Sequence, residues 1–321
     1  MDSSVKGFSW THEDLQPETK VLVTVDTESV ALLRENLPAG DTSNFNSPDA
    51  DQLDSGTAAV VAKISRAIWS RLHEGPGLVI LSGGGLDELA DNQLKQLILG
   101  ISMTLGNPMI QNPAGDLVVS VRDEARRDPQ ARGYRTRDHL PMHTDAADVT
   151  GLMCLHQGAV GGNNFFVSAE AVHDALCDEE PDLVPEFYHR WEWDRRGLEP
   201  PGEPPVLVSS IFSYYRGYLS CRYAPKLLRD GPARAGHSLT PVRVRALDCF
   251  DEIATRPALR FSWCLSRGES VWLNNYAVLH AREAFVNGGQ PTSERHLLRT
   301  WVWIRGGRPL APVFASPREV Y

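Results

Sequence analysis

At 321 residues the chain can bury a full hydrophobic core, and its 42% hydrophobic and 23% charged residues are ordinary for a globular protein. A formal net charge of -9 argues against general binding to nucleic acid or to an anionic membrane. Five scattered cysteines without a C-x-x-C, no apolar leader in Met1–Trp10 and no run of about 18 apolar residues give the expectation of a cytoplasmic protein with reduced thiols.

In chain order, Val21 to Val25 reads as a short strand and Asp41 to Asp54, rich in Asp, Ser, Asn and Pro, as a loop. Val60, Val61, Ile64, Ile68 and Leu72 recur at helical spacing, and Glu74-Gly75-Pro76-Gly77 ends that helix. Leu78 to Leu81 is a buried-strand pattern. The glycines at 83 to 85 lack a following G-K-[ST], so they read as a turn into a second helix over about Leu86 to Leu105, not as a phosphate loop. Leu117 to Val121 predicts a strand. Arg122 to Leu140, with six arginines against four acids, reads either as an active-site lid or as a solvated loop.

Short apolar runs separated by turns follow: Val149 to Leu155, Asn164 to Ser168, Val206 to Ser210, Arg260 to Leu265, Ser270 to Leu273 and Arg299 to Ile304. Helices are expected around Ser168 to Cys177 and Pro241 to Thr255. The expected fold is mainly β with flanking helices, a double-stranded β-helix (jelly roll) forming one domain over 1–321. The helical part occupies about 1–115 and the jelly-roll core about 116–306.

The chemistry-bearing stretch is His143-Thr144-Asp145, together with His280 downstream. Side chains at i and i+2 of a strand share a face, so His143 and Asp145 can reach one ion. With His280 they make the two-histidine, one-carboxylate set that binds Fe(II) and leaves coordination positions open. His139, four residues before His143, is no helical ligand partner, because Pro141 lies between them. His156, His173, His189 and His237 have no ligand-like spacing, and Trp191, Trp193 and Tyr214 read as packing residues.

Further blocks follow in order. They are Gly161-Gly162-Asn163-Asn164, then Asn274-Asn275-Tyr276-Ala277-Val278-Leu279-His280-Ala281-Arg282, then Arg295-His296-Leu297-Leu298-Arg299 ahead of Trp301. In this arrangement the chain resembles the Fe(II)/2-oxoglutarate-dependent dioxygenases of the taurine dioxygenase and clavaminate synthase type, well over 140–304 and more loosely before that. The resemblance implies that His143, Asp145 and His280 bind Fe(II) and that Arg295 pairs with the distal carboxylate of 2-oxoglutarate. Asn164, where relatives often have Thr, would also contact the cosubstrate. Arg299, on the same strand face as Arg295, is implied at substrate or cosubstrate, and Arg122 and Tyr215 are further candidates for substrate contact.

A carboxylate at 145, where halogenating relatives carry Gly or Ala, points to oxygenation. The implied reaction consumes O2, converts 2-oxoglutarate to succinate and carbon dioxide, and hydroxylates, desaturates or cyclises at an unactivated C–H bond. The expected substrate is a small amino-acid-derived or peptide-like secondary metabolite. The alternatives are a jelly-roll protein that binds a metal or small ligand without turnover and a structural zinc site; the latter is disfavoured by the lack of cysteines near His143.

Overall fold

The computed structural model describes residues 8–16, 18–39, 53–112, 114–124, 135–199, 201–290 and 293–315. The loop expected at Asp41 to Asp54 and the middle of the Arg122 to Leu140 segment lie mostly outside these residues.

The chain begins with β1 (Leu22–Thr24), α1 (Thr27–Asn36), α2 (Ser55–Glu74) and β2 (Leu78–Ser82). Next come α3 (Asp91–Leu105), β3 (Asn107–Pro108) and β4 (Val118–Arg122). The metal-motif region holds β5 (Leu140–His143), β6 (Val149–His156), β7 (Val160–Gly161) and β8 (Asn164–Ser168). An outer layer follows, with α4 (Ala169–Glu179), α5 (Val184–Tyr188), β9 (Trp191–Asp194), β10 (Val206–Ser209), β11 (Phe212–Tyr215), β12 (Tyr218–Cys221), α6 (Pro225–Arg234) and α7 (Pro241–Ala254). The last elements are β13 (Phe261–Trp263), β14 (Ser270–Asn274), β15 (Val278–Arg282), β16 (Phe285–Val286), β17 (His296–Trp303) and α8 (Pro312–Ala315).

Two sheets make the jelly roll. The larger runs β1-β2-β14-β6-β17-β3, with β4 also on β17, and the smaller runs β13-β8-β15-β5. Only the β1–β2 pairing within them is parallel. These are the strands expected at Val21 to Val25 and Leu78 to Leu81, and they extend the large sheet beside β14.

Alternation along each strand sets the layers. In β2, Val79 and Leu81 pack with Ile64, Ile68 and Leu97 of the helices, whereas Leu78 and Ile80 join Val271 and Phe261 in the cluster that extends between the sheets. Both faces are covered, which is why this strand reads as an unbroken apolar run. The small sheet is backed in the same way: Val167 and Leu279 pack on Val172, Leu247 and Phe250 of the outer layer. Burying any one of these side chains contributes about 1.5–3 kcal/mol.

The helix expected over Leu86 to Leu105 is divided. A 3-10 turn at Leu86–Glu88 gives way at Leu89, and α3 starts after Ala90. Its N-terminus is closed by Gln93, whose Oε1 accepts the Ala90 amide N–H at 3.0 Å. No Ser, Thr, Asp or Asn stands at position 90 to mark that start.

Candidate metal centre and cosubstrate pocket

The strand register brings the distant histidines together. β5 and β15 pair antiparallel with His143 directly opposite His280, the placement in which cross-strand side chains lie closest. Along β15, Leu279 and Ala281 pack toward the outer helices, while His280 and Arg282 line the cavity between the sheets.

The strand rationale for His143 and Asp145 needs correction. β5 ends at His143, and Asp145 stands in the turn beyond it. Hydrogen bonds aim that turn. The Thr144 amide donates to the Tyr223 carbonyl at 2.8 Å, and the Tyr223 amide donates back to Thr144 Oγ1 at 3.1 Å. The Asp145 amide donates to Asn275 Oδ1 (3.3 Å), Asn275 Nδ2 donates to Thr150 Oγ1 (2.8 Å), and Thr150 Oγ1 donates to Asp145 Oδ2 (2.9 Å). This closed ring orients the carboxylate and accounts for the asparagine preceding Tyr276.

His143 Nε2 lies 4.0 Å from Asp145 Oδ1, and His280 Nε2 lies 3.7 Å from Asp145 Oδ2. One ligand atom from each of the three residues falls within 4.8 Å of the others. His143 Nδ1 is 2.8 Å from the Pro141 carbonyl. A carbonyl only accepts, so Nδ1 carries the proton and Nε2 presents its lone pair to the site. His280 Nδ1 is buried without a hydrogen-bond partner.

Burial, opposed by Asp145, lowers the pKa of His143. Burial and the neighbouring His143 push His280 down to about 3. Burial acts to raise Asp145, but Arg299 and the two histidines outweigh it and hold the carboxyl at about 2. Two neutral imidazoles and one carboxylate are the protonation states a divalent ion requires.

A cavity of about 40 Å³ lies beside these residues. Leu140, Leu152 and Leu297 give it apolar walls, and Arg282, Arg295 and Arg299 line it with Asn164. Arg295, immediately before β17, and Leu297 and Arg299 on it all line the cavity. Arg295 is 1% exposed, and among the described residues its Nε has no hydrogen-bond partner and no carboxylate lies within ion-pair distance. Burial and the nearby Arg282 pull its pKa down to about 10.

Gly162, at φ +81°, passes so close that a Cβ there would meet Arg295 Nε at 3.0 Å, a constraint that explains this glycine. Phe285 lies between two cations, with Arg282 Cζ 5.0 Å and Arg295 Cζ 5.3 Å from its ring centre. Arg299 NH1 is 3.8 Å from Asp145 Oδ1.

Arg122 and Tyr215 lie outside this cavity. Arg122 ends β4 as an exposed residue beside Glu124, and Tyr215 closes the β11–β12 hairpin with Arg216 over its ring. Asn275 and Arg282, which stand in a motif block without an assigned role, and Thr150 and Gln111, which stand in none, are all buried around the site. The H-x-R spacing after His280 was the one available signal for Arg282.

One buried and one half-buried histidine, His280 and His296, shape the acid response. His296, on β17, is pushed down to about 4 by burial and by Arg122, and its Nε2 lies 3.0 Å from Ser120 Oγ. Folded-state values below the ordinary 6.5 mean that the unfolded chain binds more protons than the folded one as the pH falls from 6.5 toward 4. The contribution is fully present above 6.5 and is lost on acidification. Metal-free protein should therefore have a lower urea midpoint at pH 5 than at pH 7, and His296→Gln should shrink the difference. Equal midpoints for the two proteins at both pH values would refute this account.

The profile described as "Taurine catabolism dioxygenase TauD, TfdA family" matches residues 45–301. The chain belongs to this family. It is an Fe(II)- and 2-oxoglutarate-dependent dioxygenase with the family's jelly-roll core. It is 38% identical over 255 residues to FR-33289 synthase of Streptomyces rubellomurinus, a match covering 77% of this chain and 75% of that protein. It is 30% identical over 249 residues to the taurine hydroxylase-like protein SAT17 of Stachybotrys chartarum, covering 73% of this chain and 63% of that one. A crystal structure of asparagine oxygenase in complex with Fe(II), 2S,3S-3-hydroxyasparagine and succinate superposes with a TM-score of 0.63 at 17% identity. That match covers 88% of this chain and 93% of the other. The likeness to asparagine oxygenase is one of fold.

Proposed function

We propose that His143, Asp145 and His280 hold the iron, that Arg295 and Asn164 hold 2-oxoglutarate, and that Arg299 receives an anionic group of the substrate. The substrate is a small amino-acid-derived or peptide-like secondary metabolite, oxidised at an unactivated C–H bond. The observation that carries the reading is Arg295: a buried guanidinium with no carboxylate partner among the described residues, lining the same cavity as the three ligands. A dicarboxylate supplies the missing anion, and the planar fork grips it through two parallel bonds.

Iron and 2-oxoglutarate together supply, with dioxygen, the oxidising equivalents. The chain's own residues do the positioning. Thr150 and Asn275 keep the Asp145 carboxylate turned toward the histidines. Leu140, Leu152 and Leu297 keep water from the reacting carbon. The substrate class is supported by the relative named as a synthase and by the hydroxylated amino acid held in asparagine oxygenase. A reducing, cytoplasmic setting is supported by five cysteines that all stand free.

Anaerobic addition of Fe(II) and 2-oxoglutarate should produce the visible charge-transfer band of the chelate, absent in His143→Ala. Succinate release should then rise with one member of an N-acyl amino acid panel, and Arg299→Met should lose that rise even at 2-oxoglutarate concentrations raised to saturate its slower uncoupled release. A folded, metal-loaded protein without the band would overturn the site assignment.

A further inference from the structure

Gln111 lies on the stretch joining β3 to β4, outside every motif block, and is 1% exposed. Its surroundings are fixed by a tight turn: the Gln111 amide donates to the Asp116 carbonyl at 3.0 Å, and Asn112 Oδ1 accepts from the amides of Ala114 and Asp116. The side chain makes three bonds. Nε2 donates to the carbonyls of Leu117 (2.9 Å) and Arg299 (3.1 Å), and Oε1 accepts the Nε–H of Arg299 at 2.9 Å.

This arrangement has one orientation. Flipped, the amide would set its N–H donors against the Arg299 Nε–H and its oxygen against two carbonyls, so every bond would be lost. Gln111 thus holds Arg299 at both its backbone and its guanidinium. The Trp301 ring, 4.4 Å from the Arg299 Cζ, restrains the plane further. With Nε committed to Gln111, the terminal nitrogens point to Asp145 and the cavity.

At Asp145 the consequence is rotational. Thr150 holds Oδ2, and Arg299 faces Oδ1 from 3.8 Å, so turning the carboxylate about its Cβ–Cγ bond is opposed at both oxygens. We infer that Gln111 is a positioning residue of this dioxygenase, setting through Arg299 the orientation of Asp145 on which cosubstrate chelation depends. The inference rests on the proposed ligand set and adds to it a residue 34 positions before the Asp145 it acts on (145 minus 111).

The test uses the full chain loaded with Co(II), an ion whose visible spectrum reports its ligands. 2-Oxoglutarate is titrated anaerobically, followed by absorption and by heat. Gln111→Leu should raise the Kd for 2-oxoglutarate about tenfold, the effect of losing a hydrogen bond to a charged group. Arg299→Lys, which lacks the Nε–H that Gln111 accepts, should do the same, and the double variant should be no worse than Arg299→Lys alone. Should Gln111→Leu fail to fold by circular dichroism, the unbranched Gln111→Met replaces it.

A Gln111 variant that binds within twofold of wild type, or effects that multiply in the double variant, would overturn the inference. Failure of the underlying site assignment looks different: the wild type itself gives no Co(II) spectrum, or His143→Ala keeps one. That result overturns both.

Discussion

Arg295→Leu is expected to abolish the response of the protein to 2-oxoglutarate while leaving the fold as stable as before, or firmer. The guanidinium is fully buried, and no carboxylate among the described residues pairs with it. Its pKa, drawn down to about 10 by burial and by Arg282, records the cost of keeping that charge out of water. Leucine removes the cost. It also removes both bonds of the fork; at about 1.5–3 kcal/mol for each bond to a charged group, the loss is roughly 100-fold to 10,000-fold in Kd. Thermal shift separates the two effects. Cosubstrate at 100 times its Kd stabilises the wild type by about 2.7 kcal/mol, an upward shift of several degrees. The variant should melt at or above the wild-type temperature without cosubstrate and show no shift with it. A shift of wild-type size would exclude Arg295 as the cosubstrate anchor.

Legibility in the sequence followed what each side chain faces. β8 emerges with the expected bounds, Asn164–Ser168, because an apolar run between Gly-Gly and a helix cap has few other solutions. The strand expected to carry both His143 and Asp145 is β5, which stops at His143; its Pro141, a bar to a helix, is tolerated because β5 is an edge strand. β15 does not read as an apolar run because two of its five residues, His280 and Arg282, are polar, although both of its faces are buried. α6 was missed for the Gly231-Pro232 pair inside it, residues that normally signal a break. The helix α1, capped by Asp26 at the Ser29 amide, buries only Ser29, Val30 and Leu33, too short an apolar stripe for periodicity to announce it.

The residues proposed as the metal set and its clamp stand out in the sequence because they fall in fixed local blocks. Gln111 and Thr150 do not, because their roles arise from register. Gln111 reaches Arg299, 188 residues away, because β3 and β4 on either side of it both pair with β17. Thr150 meets Asn275, 125 residues away, because β6 pairs with β14. No local pattern encodes either meeting. The i, i+2 argument places His143 and Asp145 side by side for an incomplete reason, since the loop after β5 and its hydrogen bonds, not strand alternation, aim Asp145.

Asp145→Ala should cost more in metal affinity than any change outside the ligand set. Altering a group that merely supports a ligand typically costs about 10–100-fold; here the only anionic ligand of the set disappears. Two imidazoles remain, both uncharged at neutral pH because burial depresses their pKa. Arg299 then faces the ion position with its charge no longer balanced by Asp145, 3.8 Å away in the intact site. Repulsion therefore adds to the lost bond. The same cation makes the defect open to chemical rescue, since a small carboxylate such as formate can occupy the space of the missing side chain beside Arg299. Competitive titration against a chromogenic Fe(II) chelator should show binding lost in Asp145→Ala and partly restored by formate. Formate should do nothing for Asp145→Ala combined with Arg299→Met. Metal affinity within a few-fold of wild type in Asp145→Ala would mean that the ion is held elsewhere. Rescue that persists without Arg299 would show that the guanidinium does not govern which anions enter the site.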